Sequence, residues 1–277
     1  MRKLFGLART LNFSYTSNTL VALWSFAIVL VYTVYFHLQY PDLGWQKVVL
    51  EGILAGITVF LSWAISRELE PDSTLAATLT MAICSIGLLW NGGKADLLLG
   101  AYFLLCLRII NCTTGLPPSW LELLGLALYS LVLAYKQAYL AALALPASLF
   151  ISFRLNSVSG KAAPLLSLLL VTAILIVGFI NFNGWSNPGE LTTASTIIIA
   201  VIASAFAFYI RKKTTTQAVD DYSRQPLSLK RIKAAQLFAL LLIVLLSLWF
   251  GTSGIMRFLP FWAAFSGVVL SLPFSNK

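Results

Sequence analysis

The sequence is poor in charge, and what charge it has is lopsided. Only 10% of its 277 residues are Asp, Glu, Lys or Arg, with 10 acids against 19 bases. The longest stretch without an apolar run, Arg211 to Lys233, is far too short to bury a core of its own. A separate soluble domain is therefore excluded. A nucleic-acid interface is excluded with it, because a basic surface outside the apolar runs hardly exists.

Other shortages exclude chemistry. The 3 cysteines, Cys84, Cys106 and Cys112, form no CxxC pair and have only 1 histidine for company. A disulfide framework or a thiolate metal site is not expected from such a set. A single histidine also rules out histidine-rich di-iron sites. His37 and Asp42 stand in an H-x4-D spacing, but nothing else of an acyltransferase accompanies them. Paired DxxD acids that would bind magnesium and pyrophosphate are missing. No catalytic residue, metal or cofactor is assigned.

What is present is hydrocarbon. Apolar residues make up 59% of the chain, and the mean hydropathy is +0.85. Ten apolar runs lie at about 18–37, 48–66, 74–90, 97–113, 120–136, 138–153, 164–181, 192–210, 234–250 and 258–273. A bilayer core needs roughly 20 helical residues, which most of these approach. The expected fold is all-α: a polytopic transmembrane bundle of about ten helices, or nine if the last run is re-entrant. It forms a single integral membrane domain over residues 1–277, with an interfacial segment at 1–17 and a basic loop at 211–233.

Lys and Arg give the orientation. With alternate loops assigned to alternate sides, one side holds only Lys47, Lys94, Lys136 and Arg257, and the remaining 15 of the 19 lie on the other. This positive-inside bias places both termini in the cytoplasm of a bacterial-type inner membrane. Anionic headgroups at that face are the expected partners, with a membrane-protein partner as a further candidate.

Local signals mark the helix ends. Ser119 and Glu122 form a capping box, and Asn187-Pro188-Gly189-Glu190 repeats the pattern. Asp72 is placed to cap the third helix, and Asn91-Gly92-Gly93 to end it. Gly52 and Gly56 form a GxxxG that implies close helix packing. Pro146 should kink the sixth helix. Thr193, Ser195, Thr196, Ala200, Ala203 and Ser204 read as the surface of an internal helix.

The densest polar group gathers at the ends of the second, fourth and sixth helices. Arg67, Glu68, Glu70, Asp72, Arg108, Asn111 and Arg154 are the substrate-binding candidates. Arginines fit phosphate or carboxylate bidentately, so the group implies an anionic headgroup or solute. A buried Arg108 needs an acid, and Glu68 and Glu70 are the expected partners. The alternative is a set of structural ion pairs. The function expected first is a transporter or flippase for a lipidic or small anionic substrate, on a cavity near Pro146 and Arg108. A structural or accessory subunit of a membrane complex comes second. A membrane-embedded lipid-modifying enzyme using the Arg and Glu cluster comes third.

Overall fold

A computed structural model describes residues 5–9, 11, 13, 15–91, 95–155, 163–181 and 188–272. Among these the chain runs through α1 (Thr16–Gln39), α2 (Trp45–Leu69), α3 (Thr74–Asn91), α4 (Leu97–Asn111) and α5 (Trp120–Tyr135). Then come α6 (Tyr139–Ala142), α7 (Ala144–Arg154), α8 (Ala163–Ile180), α9 (Thr193–Lys212), α10 (Leu229–Phe250), α11 (Thr252–Arg257) and α12 (Leu259–Ser271). No strand occurs among the described residues; Val219 and Pro226 form one isolated bridge. Helix is what an apolar chain must adopt in hydrocarbon, where each N–H and C=O needs a partner within its own segment.

Among the described residues, five helices are long and apolar enough to cross a membrane: α1, α2, α8, α9 and α10. The chain is an integral membrane protein. The other apolar runs, α3, α4, α5, α6 with α7, and α12, give shorter helices. α12 has 13 residues, about 20 Å of helix.

Burial separates a centre from a rim. The apolar window of α2 is 61% buried, against 22% for α1, α8 and α9. Packed on α2 are α1, α3, α4 and α12. Gly52 and Gly56 permit the α1 contact: a Cβ on Gly52 would overlap the Thr33 hydroxyl and lie 2.8 Å from the Val29 carbonyl. A Cβ on Gly56 would meet Val29 and the Ser25 carbonyl in the same way. α12 closes on α3 by the same device, because Gly267 sits against Ala76 O and Thr80.

The small residues of α9 behave differently from expectation. Thr193, Thr196, Ala200 and Ser204 are exposed, and the helix buries only Ser195, Ile199, Phe206 and Tyr209. α9 is thus a rim helix. Small side chains permit close packing, but they do not require a neighbour.

Helix ends divide between expected and corrected. The Ser119–Glu122 capping box at α5 is present. At α9 the cap is Thr192, which accepts from Ser195 N at 3.2 Å, so Glu190 lies too early in the chain to serve. α3 is capped by Ser73, which accepts from Ala76 N at 3.1 Å, and Asp72 is engaged elsewhere. The Gly92-Gly93 stop lies outside the described residues.

Pro146 interrupts the sixth apolar run at Leu143, dividing it into α6 and α7. Lacking an N–H, Pro146 leaves the Ala142 carbonyl without its helical donor. Ser130 Oγ donates to that carbonyl at 2.9 Å, and Tyr102 OH lies 3.3 Å from it. Tyr102 OH also accepts from Leu145 N at 3.1 Å. The break is therefore bridged by hydroxyls from α4 and α5.

Candidate functional site

Two polar constellations sit at opposite ends of α2. The first is at its C-terminal, basic end. Glu68 is completely buried, one residue before α2 stops. Its Oε1 accepts from Arg108 Nε at 3.0 Å and from Arg9 Nη1 at 3.3 Å, and its Oε2 accepts from Thr113 Oγ1 at 2.9 Å. Arg9 also grips Asp221 bidentately, at 2.7 Å from Nε and 2.8 Å from Nη2. Two arginines and two acids thus neutralise one another, the condition for placing charge at low dielectric.

Backbone groups complete this network. Arg108 Nη1 donates to Leu7 O at 3.0 Å, while Gly6 N and Leu7 N donate to Glu122 at 2.9 and 2.8 Å. Leu7 is buried, and Gly6 presses on the Pro117 carbonyl where a Cβ would not fit. Asn111 Nδ2 and Gln236 Nε2 donate to the final carbonyls of α2, Glu68 O at 2.7 Å and Leu69 O at 2.6 Å. The segment 5–9 is consequently stitched into the bundle.

Glu70 and Asp72 form a second centre around Lys213, whose Nζ lies 2.6 Å from Glu70 Oε1 and 3.0 Å from Asp72 Oδ2. Burial pushes the Glu70 carboxyl up, with Lys213 opposing. Burial would raise Asp72 too. There, however, Lys213, the Gln217 N–H and Thr216 prevail and hold it below the usual range. Asp72 Oδ1 accepts from Gln217 N and Ala218 N at 2.9 and 2.8 Å, pinning the loop after α9 across the end of α2. Asp220 braces that loop internally, accepting from Tyr222, Arg224 and Gln225 N–H groups, and is likewise held low despite partial burial.

Of the candidates from sequence, Glu68, Arg108 and Asn111 therefore meet directly, and Glu70 and Asp72 meet on Lys213. Arg67 is half-buried beside them and makes no ion pair within 4.0 Å among the described residues. Arg154 is exposed at the end of α7 and joins no described ion pair. Arg9, Lys213, Asp221 and Gln236 were not singled out by sequence reasoning, and nothing local in the chain marks them. The arrangement is a clasp in which every carboxylate already has cationic or N–H partners.

The second constellation lines a cavity of about 420 Å³ near the N-terminal end of α2. Glu51, Leu54, Ala55 and Thr58 share one face of α2 and form its wall. Tyr32 of α1 and Leu88 of α3 also line it, with Ala95, Asp96, Leu97, Leu98 and Arg257. Thr58 stands midway along α2, about 20 Å from its first residue. Glu51 is nearly buried, at 6% exposure. The Asp96 carboxylate caps α4 through Leu99 N at 3.1 Å, and its own N–H donates to Arg257 O at 3.0 Å. That bond fixes the start of α4 against the end of α11. The Arg257 guanidinium lies 4.5 Å over the Phe250 ring.

Sequence reasoning placed a cavity near Pro146 and Arg108. Those positions are filled: Pro146 is buried, with its carbonyl accepting from Ser167 at 2.8 Å, and Arg108 is in the clasp. Comparison with known proteins finds no family model matching this chain, no similar curated protein and no similar solved structure.

Proposed function

We propose that this membrane protein is a transporter or flippase whose substrate, lipidic or small and polar, enters the cavity walled by Glu51 to Thr58 of α2. One observation carries the reading. The same helix borders a cavity reaching its mid-length at one end and a hydrogen-bonded clasp at the other. Alternating access needs that asymmetry, with a site near the bilayer midplane open to one side and closed to the other. The volume falls within the roughly 300–1,000 Å³ of small-molecule sites.

In this reading the ten apolar runs all lie in the membrane, and the positive-inside bias puts the clasp in the cytoplasm of a bacterial-type inner membrane. The exposed Arg154, Arg211, Lys212, Arg224 and Lys230 face anionic headgroups there. Because the clasp arginines already have acids, the substrate site moves from the arginine cluster to the cavity.

An accessory subunit is the second reading, favoured by the exposed small-residue face of α9, where another membrane helix would pack closely. An enzyme built on Glu68, Glu70 and Asp72 would need those acids to converge; instead they divide between the arginines and Lys213.

The test uses purified protein in proteoliposomes, with uptake of a small-solute panel and scrambling of labelled phospholipids measured beside protein-free vesicles. A Thr58→Cys variant is probed with an impermeant thiol reagent from each side. Flux of at least one substrate, with the introduced thiol labelled from the side opposite the clasp, is the expected result. Absence of all flux, with that thiol inaccessible from both sides, leaves the accessory-subunit reading.

A further inference from the structure

Residues 5–9 are held in the clasp without belonging to any helix. We propose that this segment is a detachable plug: it leaves the basic end as a unit while the helices beneath it stay paired. Its purpose, as the moving part of the closed gate, rests on the transport reading.

The bundle can spare every bond that holds the segment. Among the described residues, each of its hydrogen bonds runs to or from a side chain. Those side chains keep partners of their own once the segment has gone. Glu68 retains Arg108 Nε at 3.0 Å and Thr113 Oγ1 at 2.9 Å. Glu122 retains the Ser119 N–H at 2.7 Å within its capping box. Asp221 is exposed, so water takes the place of Arg9 there. Detachment therefore strands no buried charge, which is the costly event in breaking an ion pair.

The apolar cost is confined to one side chain. Leu7 is 1% exposed, whereas Phe5 and Ala8 already face outward. Once free, Leu7 joins Phe5 on a stretch that also carries Arg2, Lys3 and Arg9. Basic and apolar residues together favour a surface of anionic headgroups, and that attraction offsets the exposure of Leu7. An opening of this size needs far less free energy than unfolding the helices.

Gly6 is the latch. A Cβ there would overlap the Pro117 carbonyl and lie 3.3 Å from Pro118 Cα, both in the proline turn before α5. Alanine at this position should expel the segment while the helices keep their contacts with one another.

The experiment begins with hydrogen exchange on the unaltered full chain in detergent, read residue by residue. The Gly6, Leu7 and Ser119 amides all donate to Glu122, but only the first two belong to the plug. Gly6 and Leu7 should exchange at least about tenfold faster than Ser119. Next, a spin label is placed at Phe5→Cys in a Cys112→Ser background, because Cys84 and Cys106 are buried. Adding Gly6→Ala should sharpen its spectrum, and any flux in proteoliposomes should rise about threefold or more. Exchange of the three amides at one rate overturns the proposal, even where the variant misfolds. A released label with measurable flux left unchanged overturns it too. Release without flux in either protein removes the transport reading and keeps the detachable segment. Flux with the segment locked does the reverse.

Discussion

Arg108 Nε lies 3.0 Å from Glu68 Oε1, joining side chains 40 positions apart in a site from which the carboxylate has no access to solvent. Removing one partner of such a pair strands the other charge, at a cost of about 3–5 kcal/mol. Arg108→Ala should therefore lower the unfolding midpoint in detergent sharply. Arg154→Ala, at an exposed position, should change stability by no more than about 0.5 kcal/mol. Intrinsic tryptophan fluorescence during thermal unfolding reads both. Equal effects would show that the Glu68 centre is not an anchor of the bundle.

Tyr102→Phe should cost about 1–3 kcal/mol, because it deprives Leu145 N of its acceptor at the break between α6 and α7. Ser130→Ala should cost less, since Tyr102 OH still lies within reach of the Ala142 carbonyl at 3.3 Å. Chemical denaturation of the two variants in mixed micelles gives the order.

The two glycines Gly52 and Gly125 should respond to alanine with opposite signs. At Gly52 the new methyl meets Thr33 and the Val29 carbonyl, an overpacking cost of about 1–3 kcal/mol. At Gly125 nothing lies within 4 Å of the new methyl among the described residues, so alanine should gain roughly 0.5–1 kcal/mol from its helix preference. Because one obstacle at Gly52 is backbone, a Thr33→Ala change should rescue Gly52→Ala only in part. Unfolding midpoints of the single and double variants test this.

Acid should free the loop that follows α9. Asp72 and Asp220 have lowered folded values, so their stabilisation is complete above the ordinary value of 3.8 and is lost as pH falls through those lower values. Glu70 has the opposite sign: its folded value is raised above 4.5, so it takes up a proton first and favours the folded state as it does so. The loop should therefore stay fixed as pH drops past 4.5 and loosen only below about 3.8. A spin label at Thr215→Cys, an exposed position, should keep a constant spectrum down to that point and then sharpen. Sharpening near neutral pH would show that neither aspartate holds the loop.

Legibility in the sequence followed distance along the chain. Ser119 with Glu122, Gly52 with Gly56, and the break near Pro146 all depend on neighbours within a few residues, and all three were readable. The all-helical fold was readable because hydrocarbon permits little else. Arg108 announced its need for an acid, since an arginine amid apolar residues requires one. That Arg9 would share Glu68, or that Lys213 would join Glu70 to Asp72, depends on how distant helices dock, and separations of 59 and 143 residues leave no local trace. The cavity was hidden for the same reason. Its wall on α2 has an ordinary apolar period, and Arg257 reaches it only because α11 meets the start of α4. α9 misled because small residues serve a tight interface and a lipid face equally well.

The partnership of Arg9 with Asp221 has a temporal side, because 212 positions separate the two. At a synthesis rate of roughly 5–20 residues per second, Arg9 leaves the ribosome on the order of 10–40 s before its acid exists. Glu68, Arg108 and Glu122 emerge in between, so the other partners of the N-terminal segment exist well before Asp221 does. Only the grip of Arg9 on Asp221 has to wait for the loop after α9, so completion of the basic end is among the last events in the birth of the molecule.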